Sequence, residues 1–155
     1  MNGLELLKED HRRVQGLFEQ VKATENERQR MQFYKKIKAE LETHIYIEEK
    51  VLYPTLKKYE EFKEMAMEAV EEHLQVKTLW REIDRLSEDS ERFEPKLMVM
   101  MENVEHHIEK EEGKMFLDVE MRFSEEELEN LGRSLEAAKK EFGKTTRAKA
   151  ASSRR

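Results

Sequence analysis

The chain contains no cysteine, two prolines and five glycines, and no apolar run near the roughly 20 residues that a membrane-spanning helix needs. Without cysteine there are no disulfides, iron–sulfur clusters or thiol nucleophiles, and any bound metal must be held by nitrogen and oxygen. So few helix breakers among 155 residues leave little room for a loop-rich or turn-rich fold. The N-terminus has no hydrophobic segment of signal-peptide type, so a cytoplasmic protein without a membrane partner is expected.

Charge is what the chain has most of: 41 % of residues are Asp, Glu, Lys or Arg. Abundant Glu, Lys, Leu and Met favour long amphipathic helices over sheet. The net charge of −6 divides unevenly, because residues 139–155 carry seven basic side chains against Glu141 alone, which leaves −12 on the rest. An acidic body argues against nucleic acid as a partner of the folded domain. Its small, polar and basic end, residues 143–155, is expected to be a solvated, disordered tail behind a single domain of residues 1–142.

Apolar residues recur at helical spacing over about 3–24, 28–58, 61–87 and 94–121. Pro54 lies near the end of the second segment and Pro95 suits the first turn of the fourth. Beyond Ser124, whose spacing to Glu127 makes a capping box, a shorter fifth helix is expected. Nothing reads as a strand. The pattern predicts an all-α fold, an antiparallel up-down four-helix bundle with a short C-terminal fifth helix.

One motif occurs twice. His44-x-x-x-Glu48 returns 63 residues later as His107-x-x-x-Glu111, with Glu49 and Glu112 following and an aromatic (Tyr53, Phe116) nine places after each His. Residues four apart share a helix face, so each pair aims an imidazole and a carboxylate at one point. His11 and His73 occupy apolar stripes on the first and third segments. Counted from the expected turns at 1.5 Å per residue, His73 and the two pairs fall at nearly one height, and His11 joins them if the first turn lies within 23–29. Six candidate ligands thereby share one layer: His11, His44, Glu48, His73, His107 and Glu111.

Four imidazoles and two carboxylates exceed what one tetrahedral zinc requires, and carboxylates can bridge two ions. Iron, manganese and zinc all suit such donors, and burying the six groups without a cation would be costly. Any one of these features alone is weak, since a lone His on an apolar stripe is usually a core residue. His106 points away from His107 toward the surface, and Glu49 and Glu112 read as parts of a solvated face. The Met residues of the fourth segment read as core, and Phe18 and Trp80 as pocket wall. Tyr53 and Phe116 read as bundle core by default, with a place in the lower layer of the site as the alternative. Lys77, one turn after His73, must snorkel or pair with a Glu if its stripe faces inward.

The set DH at 10–11, HIYIEEKVLYP at 44–54, EEH at 71–73 and HIEKEEGKMF at 107–116 resembles the hemerythrin-like (HHE cation-binding) family, with the likeness covering about residues 4–140. The resemblance implies a non-haem di-iron centre, two iron ions held by His11, His44, Glu48, His73, His107 and Glu111, that binds dioxygen, peroxide or NO. It implies sensing, storage or scavenging of such ligands, with a peroxidase or catalase-like enzyme or an iron- or oxygen-responsive regulatory module as alternatives. The chain departs from the oxygen carriers of that family at Lys77, where they place a further His. It departs again at Glu111, four residues after His107, where they use an Asp five residues on.

Overall fold

A computed structural model describes residues 1–153. Helix α1 spans Gly3–Ala23, α2 spans Glu27–Ile47 and α3 spans Tyr53–Leu56. Helix α4 covers Glu60–Ile83, α5 Phe93–Lys110, α6 Phe116–Arg122 and α7 Glu125–Ser153. Two π-helical turns, Glu48–Leu52 and Glu111–Met115, join α2 to α3 and α5 to α6 without interruption. The molecule is therefore four rods in up-down succession, with α7 laid over α1, α2 and the first π turn. The described residues contain no strand, in agreement with the all-α bundle expected, and no helix is long and apolar enough to cross a membrane.

Side chains fix the ends of the rods. Asn2 accepts from the Glu5 N–H and Asn26 from the Gln29 N–H, each at 2.9 Å, satisfying donors that a helix start leaves open. Ser124 and Glu127 form the reciprocal capping box that their spacing predicts, at 3.1 and 3.0 Å. The third rod ends at Ile83, short of the expected 87: Asp84 keeps a helical backbone and bonds the Trp80 carbonyl at 2.8 Å, but Arg85 and Leu86 then bond three residues back, to Glu82 and Ile83. The Asp84 carboxylate accepts from Tyr34 Oη (2.6 Å) and Lys38 Nζ (2.6 Å) on α2.

Helix α7 is the larger departure. It runs through the basic segment to Ser153 and is long, where a short helix followed by a disordered tail is expected. No proline follows Ser124, and the alanines, lysines and arginines of 137–151 are strong helix formers, so nothing local stops it. Residues 154 and 155 of that expected tail lie outside the described residues.

The core is split in two. One apolar cluster gathers Leu4, Leu7, Ile47, Leu52, Tyr53 and Phe116 with Leu128, Leu131 and Leu135 of α7. The other gathers Val14, Phe18, Tyr34, Ile37, Trp80 and Leu97 at the opposite end. Between them lies a layer of buried polar groups.

Candidate metal centre

Among the described residues, eight polar or charged ones are buried, and seven of them are Asp10, His11, His44, Glu48, His73, His107 and Glu111. The six residues singled out from the sequence converge. His11, His44, Glu48 and Glu111 form one group of mutually close donor atoms, and Glu48, His73, His107 and Glu111 form a second. Both carboxylates belong to both groups. Glu48 turns Oε2 toward His44 Nε2 (3.3 Å) and Oε1 toward His73 Nε2 (3.0 Å). Glu111 turns Oε1 toward His11 Nε2 (3.3 Å) and Oε2 toward His107 Nε2 (3.2 Å). The layer therefore offers two four-donor groups that could hold metal, each with two imidazoles and both sharing the two carboxylates.

Local backbone explains why a tyrosine joins them. In a regular α-helix a residue five places after Glu48 would point about 140° away from it. The π turn instead bonds the Tyr53 N–H to the Glu48 carbonyl, and the Phe116 N–H to that of Glu111. Residues i and i+5 then stack. Tyr53 Oη lies within hydrogen-bonding distance of every donor atom in the second group: 2.5 Å from Glu111 Oε2, 3.1 Å from Glu48 Oε1, 3.2 Å from His73 Nε2 and 3.5 Å from His107 Nε2. Phe116 stacks parallel to the His11 ring, with centroids 5.9 Å apart. Helical periodicity treats Tyr53 as core; the aromatic nine places after each motif His was the available signal for a site residue.

Every imidazole also has an outward partner. Nδ1 of His11 lies 2.6 Å from Glu112, that of His44 3.0 Å from Asp10, that of His73 2.7 Å from Glu49 and that of His107 2.7 Å from Glu72. A carboxylate only accepts, so each Nδ1–H donates outward and each Nε2 is turned to the centre. Glu49 and Glu112, expected on a solvated face, are half-buried in this role. The paired acids ending both motif repeats, and the acid preceding His11 and His73, were the overlooked signal. Lys77 does snorkel, meeting Glu49 Oε1 at 3.3 Å. His106 is exposed.

Electrostatics follow the geometry. Burial pulls the His44 imidazole down, but Glu48 and Asp10 outweigh it and push it up to about 10. His107 rises well above the usual range for the same reason, Glu111 overcoming burial. Burial pushes Glu48 up, but His44, His107 and His73 hold it well below the usual carboxylate range. Tyr53 is raised, by burial first and by the two carboxylates next.

The layer suits a metal better than protons. His11 Nε2, His44 Nε2, Glu48 Oε2 and Glu111 Oε1 are buried and have no hydrogen-bond partner among the described residues, and all four belong to the first group. A native fold leaves few such groups unsatisfied, and imidazole with carboxylate is a donor set for iron, manganese or zinc. On the other side lies a cavity of about 20 Å³, lined by the four histidines, Asp10 and the aliphatic side chains Val14, Leu41, Ile45, Val76, Val104 and Ile108. Phe18 and Trp80, expected in its wall, do not line it; Trp80 faces an outer groove with Lys77 and Glu49.

A helical bundle whose mid-layer of histidines and carboxylates could hold metal is the class that fold and site define together. The hemerythrin HHE cation binding domain matches residues 2–117, and the chain belongs to that family. It is 32 % identical over 133 residues to an uncharacterized hemerythrin-like protein of Schizosaccharomyces pombe, covering 84 % of this chain and 66 % of that protein. It is 24 % identical over 139 residues to a DNA nickase of Nostoc, covering 90 % of this chain and 39 % of the nickase. This chain thus spans about two thirds of the first relative and well under half of the second. Among solved structures, a hemerythrin HHE cation binding domain-containing protein of Mycobacterium kansasii superimposes with a TM-score of 0.81 at 25 % identity, over 96 % of this chain and 91 % of that one.

Proposed function

We propose that the protein is a non-haem di-iron protein that takes up O₂ or a related small ligand, peroxide or NO, for sensing, storage or scavenging. The observation that carries this reading is the sharing of Glu48 and Glu111 between two four-donor groups. His11 and His44 would terminate one iron and His73 and His107 the other. When bound, the irons supply the redox chemistry that such ligands require. The chain's own contribution is selection and shielding. A cavity of about 20 Å³ has space for roughly one water-sized ligand, and its aliphatic wall keeps bulk water from the layer.

A second reading, turnover of peroxide by a peroxidase or catalase-like route, is favoured by one contact. The Tyr53 hydroxyl reaches both shared carboxylates and two histidines, so a proton can be held at, or returned from, a group inside the layer.

Protein purified from iron-supplemented cells and analysed for metal and near-ultraviolet absorption tests the first reading. About two irons per chain with oxo-to-iron bands support it. A well-folded protein without metal, or His44→Ala with undiminished iron content, defeats it. Catalytic disappearance of peroxide, lost in His107→Ala, would favour the second reading over stoichiometric binding.

A further inference from the structure

The outward partners of the four histidines follow a rule that the ligand set does not require. Asp10 precedes His11 in the chain, yet it holds His44 of α2. Glu49 follows Glu48, yet it holds His73 of α4. Glu72 precedes His73, yet it holds His107 of α5. Glu112 follows Glu111, and it holds His11 of α1. Each rod thus carries one ligand histidine and, one residue from a ligand, the carboxylate that orients the histidine of the next rod. The order α1 to α2 to α4 to α5 and back to α1 closes a ring.

Each carboxylate is itself fixed by a cation from outside. Glu49 meets Lys77 at 3.3 Å, Glu72 meets Lys110 at 2.8 Å and Glu112 meets Arg12. Asp10, the most buried of the four, meets Arg13 and, at 2.7 Å, Lys139 of α7. Four imidazole–carboxylate–cation chains therefore radiate from one layer. They turn every Nε2 inward and keep the proton on every Nδ1.

We infer that Asp10, Glu49, Glu72 and Glu112 are positioning residues for the metal centre, each acting on the histidine of the neighbouring helix, and that Lys77 serves as an anchor in this ring. The inference rests on the metal-binding reading above. It assigns the carboxylates to positions two by two: Asp10 and Glu112 serve the His11–His44 position, and Glu49 and Glu72 serve the His73–His107 position. It also gives the α7 helix a hold on the first position, through Lys139 and Asp10.

Zinc(II), which is redox-silent and diamagnetic, is the probe. Its affinity is measured by chelator competition, and occupancy at each position by anomalous diffraction, for Asp10→Ala, Glu49→Ala, Glu72→Ala and Glu112→Ala. Loss of such an outer partner typically lowers metal affinity about 10–100-fold. That loss is expected at the His11–His44 position for Asp10→Ala and Glu112→Ala, and at the other position for Glu49→Ala and Glu72→Ala. Long-range ¹H–¹⁵N spectra of zinc-loaded Glu72→Ala should show His107 losing its protected Nδ1–H while His73 keeps its own. Glu72→Gln and Glu112→Gln, which retain an acceptor oxygen, should recover most of the affinity. These half-exposed sites carry the test if the buried Asp10 variant does not fold. Equal losses at both positions in all variants, unchanged affinity, or Gln variants as weak as Ala would overturn the positioning role. Wild-type protein that takes up no metal instead removes the reading beneath it.

Discussion

Tyr53 Oη donates to Glu111 Oε2 across the centre of the bundle at 2.5 Å, linking the rod that follows α2 to the rod that follows α5. The bond exists because the π turn at Glu48–Leu52 rotates Tyr53 inward. Both partners are fully buried, so the carboxylate has no water to turn to when the donor is removed. Hydrogen bonds to charged groups contribute about 1.5–3 kcal/mol. In metal-free protein Tyr53→Phe should lower the unfolding free energy by about that amount, read from urea denaturation with an unchanged m-value. A variant as stable as the wild type would show that the hydroxyl contributes nothing to the closed layer.

Sharing of carboxylates makes a prediction about stoichiometry. Glu48 offers one oxygen to each group, whereas His73 belongs to one group only. Glu48→Gln, nearly isosteric, should therefore reduce bound metal at both positions, while His73→Ala should leave about one ion per chain at the His11–His44 position. Elemental analysis after loading and desalting distinguishes the two. Loss of both ions in His73→Ala together with retention of one in Glu48→Gln would show that the bridging assignment is wrong.

The parts of this site that obey 3.6-residue periodicity were legible in the sequence, and the parts that break it were not. His44 with Glu48, and His107 with Glu111, share helix faces on an unbroken α-helical stretch, so spacing alone brings them together. His11 and His73 fall into register because the connections at 24–26 and 57–59 are short and the rods antiparallel. Tyr53 was legible only as core or a lower layer of the site, because a π turn adds a residue to the period between it and Glu48, and no local residue demands that turn; Pro54 follows the first but Leu117 stands at the equivalent place after the second. Glu49, Glu72 and Glu112 escaped because their partners lie on other helices. An acid beside a ligand looks solvated until the neighbouring rod is placed. The length of α7 escaped because small, basic residues suit both a helix and a disordered end.

Metal uptake should depend on pH with a defined sign. The His44 imidazole, ordinarily near 6.5, is raised to about 10 in the cation-free fold, with Glu48 and Asp10 overcoming burial. A raised value stabilises the fold fully below about 6.5, and that contribution is lost as pH climbs through about 10. A cation needs the Nε2 lone pair and must displace this proton, so affinity should rise with pH over the whole range below about 10. Zinc(II) titration calorimetry at pH 7 in buffers of different ionisation enthalpy should show net proton release; uptake without release would contradict the protonated cluster. Glu72 shifts the other way, held at about 2 by its bond to His107 and by Lys110. Its contribution is present above the ordinary 4.5 and is lost as pH falls toward 2, so acid should weaken the outer partner of His107 only below about 4.5.

The seating of α7 on the start of α1 can be tested with two glycines that differ only in what surrounds them. Gly16 is exposed on α1, and a Cβ built there meets nothing within 4 Å. Gly132 is buried on α7, and its Cβ would press on the Met1 carbonyl oxygen, with Asn2 C and Gly3 N both at 3.2 Å. Alanine is favoured over glycine inside a helix by about 0.5–1 kcal/mol. Gly16→Ala should therefore be more stable than the wild type, by about 2–4 °C in Tm per kcal/mol for a chain of this size. In Gly132→Ala the same gain is opposed by backbone atoms that cannot rotate out of the way, an overpacking of about 1–3 kcal/mol, and Tm should fall. The affected backbone includes Asn2, which caps α1 through the Glu5 N–H, so the damage should appear first as faster amide exchange in the opening turn of α1. A Gly132→Ala protein melting at or above the wild type, with α1 protected as before, would mean that α7 does not pack closely on the N-terminus.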